Sequence, residues 1–216
     1  MKKITKAVIP AAGLGTRMLP IARTVPKEIL PIVDKPAISY LVDEAISSGV
    51  TDILIITNRG KYAIEDYFDY SPEYEESLRK KGKDDIIDSL RSAANRANIY
   101  FIRQKEARGL GDAVLRAKNF IGNEPFYVLY GDDIIMSEKP VCLQLAEAYD
   151  KYNLAVAGVK EVTAEQILKY SSLDAKPLPG ESNFYHVTDM IEKPKPEQVI
   201  TRLSILGRVL LTPDIF

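Results

Sequence analysis

Residues 10–36, PAAGLGTRMLPIARTVPKEILPIVDKP, place Gly13 and Gly15 directly after an apolar run and then bring in Arg17, Arg23, Lys27 and Lys35. Glycines let backbone N–H groups approach a ligand closely and adopt positive φ. Cations on a proline-stiffened segment supply charge. Backbone donors together with several cations suit a polyphosphate, whose oxygens need both. Two known phosphate signatures do not account for the stretch. A dinucleotide fingerprint would need a glycine where Met18 stands, and a Walker loop would need Gly-Lys-Ser/Thr. A tight turn with ordinary surface cations would explain Gly-x-Gly alone. It explains less well the combination with Arg17 and Pro26-Lys27-Glu28.

Three further segments follow apolar strand-like runs. Gly131-Asp132-Asp133 follows residues 126–130. Mg²⁺ takes one or two protein carboxylates and completes its shell with phosphate oxygens and water, a role that fits Asp132; the alternative is an Asx turn or helix cap. At Glu192-Lys193-Pro194, Lys193 could meet a phosphate and Glu192 could accept sugar hydroxyls, against the alternative of a solvated hairpin end. In residues 104–114, QKEARGLGDAV, Gln104 offers an amide to a base edge and Gly109 lets the backbone come near, against a loop capped into a helix.

The elements that must position these residues alternate. Strands are expected at residues 4–10, 52–57, 99–103, 126–130 and 154–159, and helices at 37–49, 61–68, twice within 71–96, and at 111–120 and 140–152. DILIIT at 52–57 is apolar on both faces, as a parallel-sheet strand should be. The alternation implies right-handed βαβ units and a mostly parallel sheet, with ligands at the carboxyl ends of the strands. Residues 171–183, with Pro177, Pro179 and Gly180, read as a surface loop, and 185–191 and 203–211 as strands that enter a mixed sheet. In the charge run 73–85, Glu75/Arg79 and Glu76/Lys80 are spaced i,i+4 and read as ion pairs on a solvated helical face.

Composition narrows the function classes. The 216 residues carry 29 Lys+Arg against 30 Asp+Glu, so there is no basic excess of the kind that holds nucleic acid by bulk charge. One cysteine, Cys142, excludes an internal disulfide or a cysteine-rich zinc cluster, and one histidine, His186, argues against His-rich metal sites and Ser–His or Cys–His triads. No apolar run approaches the ~20 residues of a membrane helix. Lys2, Lys3 and Lys6 before a short apolar run imitate a secretory leader, but Pro10 and Gly13 interrupt it; a buried first strand is expected instead.

Together the segments resemble the sugar-phosphate nucleotidylyltransferases, in particular the bacterial branch that uses UTP and glucose 1-phosphate. The resemblance runs through AAGLGTRMLP, PKEILPIVDKP, AIEDYFDYSPEYE, RQKEARGLGDAV, the Gly-Asp-Asp at 131–133, EKPKPE at 192–197 and LGRVLLTPDIF at 206–216. It implies a Rossmann-like three-layer αβα nucleotidyltransferase fold with a mostly parallel mixed sheet, as a single domain over 1–216. It also implies formation of UDP-glucose and pyrophosphate with Mg²⁺, in the cytoplasm, by a homo-oligomer without nucleic-acid or membrane partners. By position, Ala12, Gly13 and Gly15 would bring backbone to the nucleotide, and Arg17 and Lys27 would hold the triphosphate and the departing pyrophosphate. Gln104 and Gly109 would read uracil, Asp132 would hold the metal, Glu192 the sugar hydroxyls and Lys193 the sugar phosphate.

Three departures from the family pattern are evident. The chain stops at Phe216 where relatives continue into a region resembling a second metal ligand and subunit contacts, so slow turnover and self-association are expected of it. Tyr170-Ser171-Ser172 replaces the usual Tyr-Gly-Ile, whose glycine backbone contacts the sugar. Arg23 replaces a lysine, and Thr201-Arg202-Leu203-Ser204 replaces Ser-Asn-Leu-Ala. A transferase for another hexose 1-phosphate or nucleotide, or a non-catalytic nucleotide-sugar-binding relative, therefore stands beside the leading reading.

Overall fold

A computed structural model describes residues 3–216; Lys2 of the leader-like cluster lies outside the described residues. The chain divides into two compact units, residues 1–156 with 209–216, and residues 157–208.

The first unit is built on strands β1 (Lys6–Pro10), β4 (Asp52–Thr57), β5 (Asn98–Arg103) and β6 (Phe126–Leu129), with a small hairpin, β2 (Pro31–Ile32) and β3 (Lys35–Pro36), between the first two. β1 lies between β4 and β6, and β5 lies outside β4; all three pairings are parallel. Side chains alternate between the two faces of each strand. Ala7, Ile9, Ile53, Ile55, Tyr127 and Leu129 face one buried cluster, and Val8, Leu54, Ile56, Phe126 and Val128 face another.

The first cluster is closed by helices α1 (Ala37–Ser47), α2 (Tyr62–Phe68) and α7 (Val141–Tyr152) through Ile38, Leu41, Val42, Ile64, Cys142 and Leu145. The second is closed by α5 (Leu110–Leu115) and α6 (Lys118–Ile121) through Ala113, Val114, Ala117 and Ile121. The result is the expected αβα layering. Each wholly buried isoleucine or leucine here contributes about 1.5–3 kcal/mol. The terminal Phe216 stacks on Phe126, centroids 5.6 Å apart, and Leu210 joins the first cluster.

Two expectations for this unit are corrected. The helix expected over 111–120 is two helices. At Arg116 and Ala117 the backbone bonding tightens to i→i+3 (Ala117 N–H to Val114 O, 2.9 Å), which ends α5 before α6 begins. Glu76 does pair with Lys80 at 2.7 Å. Glu75 instead turns away from Arg79 and is buried against the guanidinium of Arg91, joining α3 (Pro72–Lys80) to α4 (Asp84–Arg96). Arg91 gives its Nε and Nη2 donors to the two carboxylate oxygens, a bidentate pair that ties one helix to the other.

The second unit holds β7 (Val156–Glu161) from residue 157 on, short helix α8 (Ala164–Ile167), a hairpin of β8 (Ser171–Pro177) and β9 (Tyr185–Glu192), and β10 (Leu203–Leu211) as far as residue 208; β10 lies beside β7. The surface loop expected from residue 171 is a strand as far as Pro177. β8 pairs antiparallel with β9 from Ser171↔Glu192 to Pro177↔Tyr185, with an irregularity at Asp174/Ala175. Its serines are interior because their hydroxyls are bonded there: Ser172 Oγ donates to Thr201 O at 2.8 Å and accepts from Ile200 N–H at 2.9 Å. β9 consequently belongs to this two-stranded sheet, and of the two late strands only β10 enters the larger one.

Candidate functional site

In the first unit the chain leaves four parallel strands in the same direction, and each exit carries chemistry. The β1–β4 ladder continues one step past β1 through Ala11 N–H to Ile56 O (2.8 Å), and the β4–β5 ladder one step past β5 through Gln104 N–H to Thr57 O (2.8 Å). These two bonds fix where the glycine loop and the amide begin.

The glycine loop turns at Gly15, whose φ is 67°, into a single helical turn at Thr16–Met18 that leaves Arg17 exposed. The Lys27 side chain runs along this loop: a β-carbon on Gly15 would lie 3.6 Å from its Cδ, and one on Gly13 would lie 3.9 Å from its Nζ. Lys27 Nζ then reaches Asp132 Oδ2 at 2.5 Å. Asp132 is delivered there by Gly131, which must be glycine, since a β-carbon would stand 2.8 Å from Pro10 O. The phosphate-type loop, the lysine and the carboxylate thus occupy one place. Arg23 is exposed on the next turn, Ile21–Arg23.

A cleft of about 200 Å³ opens beside this loop, lined by Ala12, Leu14, Asn58, Arg59 and Gln104 among others. Gln104 is buried at its edge. Its Nε2 donates to Gly109 O at 3.1 Å and to Asp112 Oδ2 at 2.7 Å. Gly109, at φ 95°, starts α5. Gln104 and Gly109 are therefore in contact. Asp112 is a member of the site that the sequence reading missed. The Gln104 hydrogen bond, with Arg116 next, holds the Asp112 carboxyl below its usual range.

Three other residues were missed. Asn58 Nδ2 donates to Ala12 O at 2.5 Å. Lys61 Nζ donates to Ala11 O at 2.5 Å and to both Glu28 oxygens at 2.8 Å. The available signal was polar residues, Asn58 and Lys61, immediately after an all-apolar strand. Among the described residues no group of three or more His, Cys, Asp or Glu side chains is placed to hold a metal ion. No helix of the described residues is long and apolar enough to cross a membrane.

In the second unit, Lys193 takes a left-handed conformation (φ 47°) at the end of β9, and its N–H donates to Tyr170 O at 2.6 Å. Lys193 Nζ and the Glu192 carboxylate are exposed and lie 3.1 Å apart. Ser171, paired with Glu192 in the ladder, is buried. Its N–H donates to Ser204 Oγ at 3.2 Å, and the two hydroxyls are also 3.2 Å apart. Arg202 is turned to Glu161 at 2.6 Å.

A family model described as nucleotidyl transferase matches residues 6–213. A Bacillus subtilis (strain 168) protein named UTP–glucose-1-phosphate uridylyltransferase is 50% identical over 216 residues, all of this chain and 73% of that protein. A crystal structure of UDP-glucose pyrophosphorylase complexed with UDP-glucose aligns with TM-score 0.86 at 41% identity, over 99% of this chain and 78% of the other. A UTP-bound enzyme of the same kind from Acinetobacter baumannii aligns with TM-score 0.90 at 33% identity, over 98% of this chain and 75% of the other.

Proposed function

Because the chain belongs to the nucleotidyl transferase family, we propose that it joins UTP and glucose 1-phosphate into UDP-glucose with release of pyrophosphate. The observation that carries this reading is the convergence of the glycine loop, Lys27 and Asp132 at the adjacent ends of β1 and β6. An oxygen of the sugar phosphate attacks the α-phosphorus in line, its new P–O bond forming as the bond to the β-phosphate oxygen breaks, and pyrophosphate carries the electron pair away. A phosphate monoester is already mostly dianionic at pH 7, with a second pKa of about 6. The nucleophile therefore needs no general base, and the residues' task is to neutralise charge and align groups.

Lys27 and Arg17 meet the triphosphate beside the backbone of Ala12, Gly13 and Gly15. Gln104 has both Nε2 hydrogens committed to Gly109 O and Asp112, so its Oε1 faces the base as an acceptor. Uracil offers an imide N–H to such an acceptor, and cytosine offers none at that ring nitrogen. Glu192 and Lys193 serve the sugar hydroxyls and the sugar phosphate.

The donor chemistry at Asp132 fits Mg²⁺: an exposed carboxylate that already draws a cation, on a metal that asks for only one or two protein carboxylates. When bound, the ion adds positive charge to the triphosphate. The single-domain reading of residues 1–216 belongs to the same proposal and is supported by one family match running from 6 to 213. Assembly into a homo-oligomer and a cytoplasmic location belong to it as well.

One observation favours a second reading, a different hexose 1-phosphate. Ser204 takes the Ser171 backbone N–H, in a segment whose backbone the resemblance assigns to the sugar. The test for both is pyrophosphate release from UTP and Mg²⁺ with a panel of hexose 1-phosphates. Release with glucose 1-phosphate well above the others supports the first reading, and a preference for another sugar the second. Tight UDP-glucose binding without release would make the chain a non-catalytic relative.

A further inference from the structure

We propose that Asp112 is a positioning residue that fixes which end of the Gln104 side-chain amide faces the cleft and so sets base selectivity, a role that rests on the nucleotide reading of that cleft. With the oxygen outward, the site takes a pyrimidine that carries an imide N–H and refuses cytosine. Gln104 is anchored through its backbone, whose N–H extends the β4–β5 ladder to Thr57 O at 2.8 Å. Its side chain is buried at the edge of the cleft. The amide nitrogen carries two hydrogens and meets two acceptors, Gly109 O at 3.1 Å and Asp112 Oδ2 at 2.7 Å. A carbonyl and a carboxylate only accept. Turning the amide over would set Gln104 Oε1 against two oxygens. Among the described residues no buried side-chain nitrogen or oxygen is left without a partner. With the nitrogen committed inward, Oε1 is the end of the amide left for a ligand.

Asp112 is itself held from the other side. Its second oxygen, Oδ1, accepts from Arg116 Nη2 at 2.7 Å, one helical turn further on. One carboxylate oxygen thus goes to each neighbour, and both neighbours donate. These two contacts, Gln104 first, hold the carboxyl below its usual range, so near neutral pH it is an acceptor and nothing else. An ordinary i,i+4 ion pair on a helix face would account for Oδ1 and Arg116. It would not account for the other oxygen, which is spent on a buried amide beside the cleft.

Uracil presents an imide N–H to an outward-facing oxygen. Cytosine presents a ring nitrogen with a lone pair, so two acceptors would face each other with no proton between them. A buried polar group left without its partner discriminates strongly between ligands. Thymine carries the same imide N–H as uracil. The selectivity that Asp112 supplies therefore separates imide pyrimidines from cytosine and does not extend to the methyl group.

The experiment titrates the parent chain, Asp112→Asn, and Asp112→Asn combined with Arg116→Met with UTP and with CTP in Mg²⁺ by calorimetry, alongside the thermal midpoint. Arg116 can only donate. In Asp112→Asn the new amide therefore turns its oxygen to Arg116 and its nitrogen to Gln104, which draws Gln104 Oε1 inward. Gly109 O resists that turn, so the preference for UTP over CTP should narrow and not invert. The expected narrowing is about 10-fold, the scale of one charge-assisted hydrogen bond, with a thermal midpoint near the parent's. Removing Arg116 as well lets the new amide turn back, and the double variant should regain most of the preference. An Asp112→Asn chain that keeps the parental preference overturns the proposal. So does a double variant no more selective than the single one, and so does a collapsed midpoint, which would make Asp112 a structural residue. A parent that binds UTP and CTP alike overturns it too, while leaving the nucleotide reading in place. A parent that binds neither sinks the nucleotide reading itself.

Discussion

Lys27 Nζ and Asp132 Oδ2, from residues 105 apart in the chain, lie 2.5 Å from one another. The lysine assigned to the triphosphate and the carboxylate assigned to the metal neutralise each other. On the proposed reading, each would exchange that partner for a ligand atom when substrate arrives. A partly exposed pair of this kind contributes only about 0–1 kcal/mol to the fold. Lys27→Ala should therefore leave the thermal midpoint almost unchanged while lowering kcat on the order of 10²–10³-fold, because it removes positive charge where charge grows on the departing pyrophosphate. A Lys27→Ala enzyme with parental kcat would remove Lys27 from the reaction.

Metal dependence should centre on Asp132 and not on its neighbour. Asp133 closes the turn after β6 through its N–H to Tyr130 O at 3.0 Å, whereas the Asp132 carboxylate is the one beside Lys27. In a titration of UTP binding against Mg²⁺, Asp132→Asn should flatten the dependence, and Asp133→Asn should keep it. The reverse pattern would move the metal to Asp133.

The two serines that depart from the family pattern in different segments, Ser171 and Ser204, are hydrogen-bonded to each other. Residues in contact are coupled, so their substitutions should not add. A double-mutant cycle of Ser171→Gly and Ser204→Ala, followed by thermal unfolding, should give an interaction energy of about 0.5–1.5 kcal/mol. The double variant also frees the residue-171 amide, so its KM for glucose 1-phosphate should fall below the parent's. Additive stabilities together with an unchanged KM would show that the two departures are independent.

The Glu75–Arg91 link between α3 and α4 predicts a pH signature. The Arg91 hydrogen bonds, against a smaller opposing effect of burial, hold the Glu75 carboxyl below its ordinary 4.5. A carboxyl lowered in the folded state contributes stability that is fully present above the unfolded value and is lost as pH falls through the folded one. The midpoint difference between parent and Glu75→Gln should therefore be constant from pH 6 to 8 and shrink below about pH 4.5. A difference that persists unchanged at pH 3 would mean that the charge is not what joins the helices.

The parts of the fold written in short-range periodicity were legible. DILIIT is β4 over the very residues expected, 52–57, and α1 and α7 fall within two residues of their apolar patterns. β8 was not legible, because serine hydroxyls and two nearby prolines look like solvent-facing chain until their partners, Thr201 and Ser204, are brought in from some thirty residues away. The site divides in the same way. Gly13, Gly15, Lys27, Gln104, Gly109 and Asp132 stand out as candidates by type and spacing. Glu28 and Lys61 do not, because an acid and a base that satisfy each other in the interior look like surface residues until the chain has folded.

β1 is held on both sides, by β4 and by β6. The chain's first strand is therefore flanked by segments made much later, the second of them ending at Leu129. At a synthesis rate of about 5–20 residues per second, Leu129 follows Pro10 by roughly 6–24 s. During that interval Val8 and Ile9 have at most one of their two neighbours, and the apolar strand is open to other chains or to holdases. Production of this protein should accordingly be limited less by the stability of the finished sheet than by protection of β1 while the ribosome reaches β6.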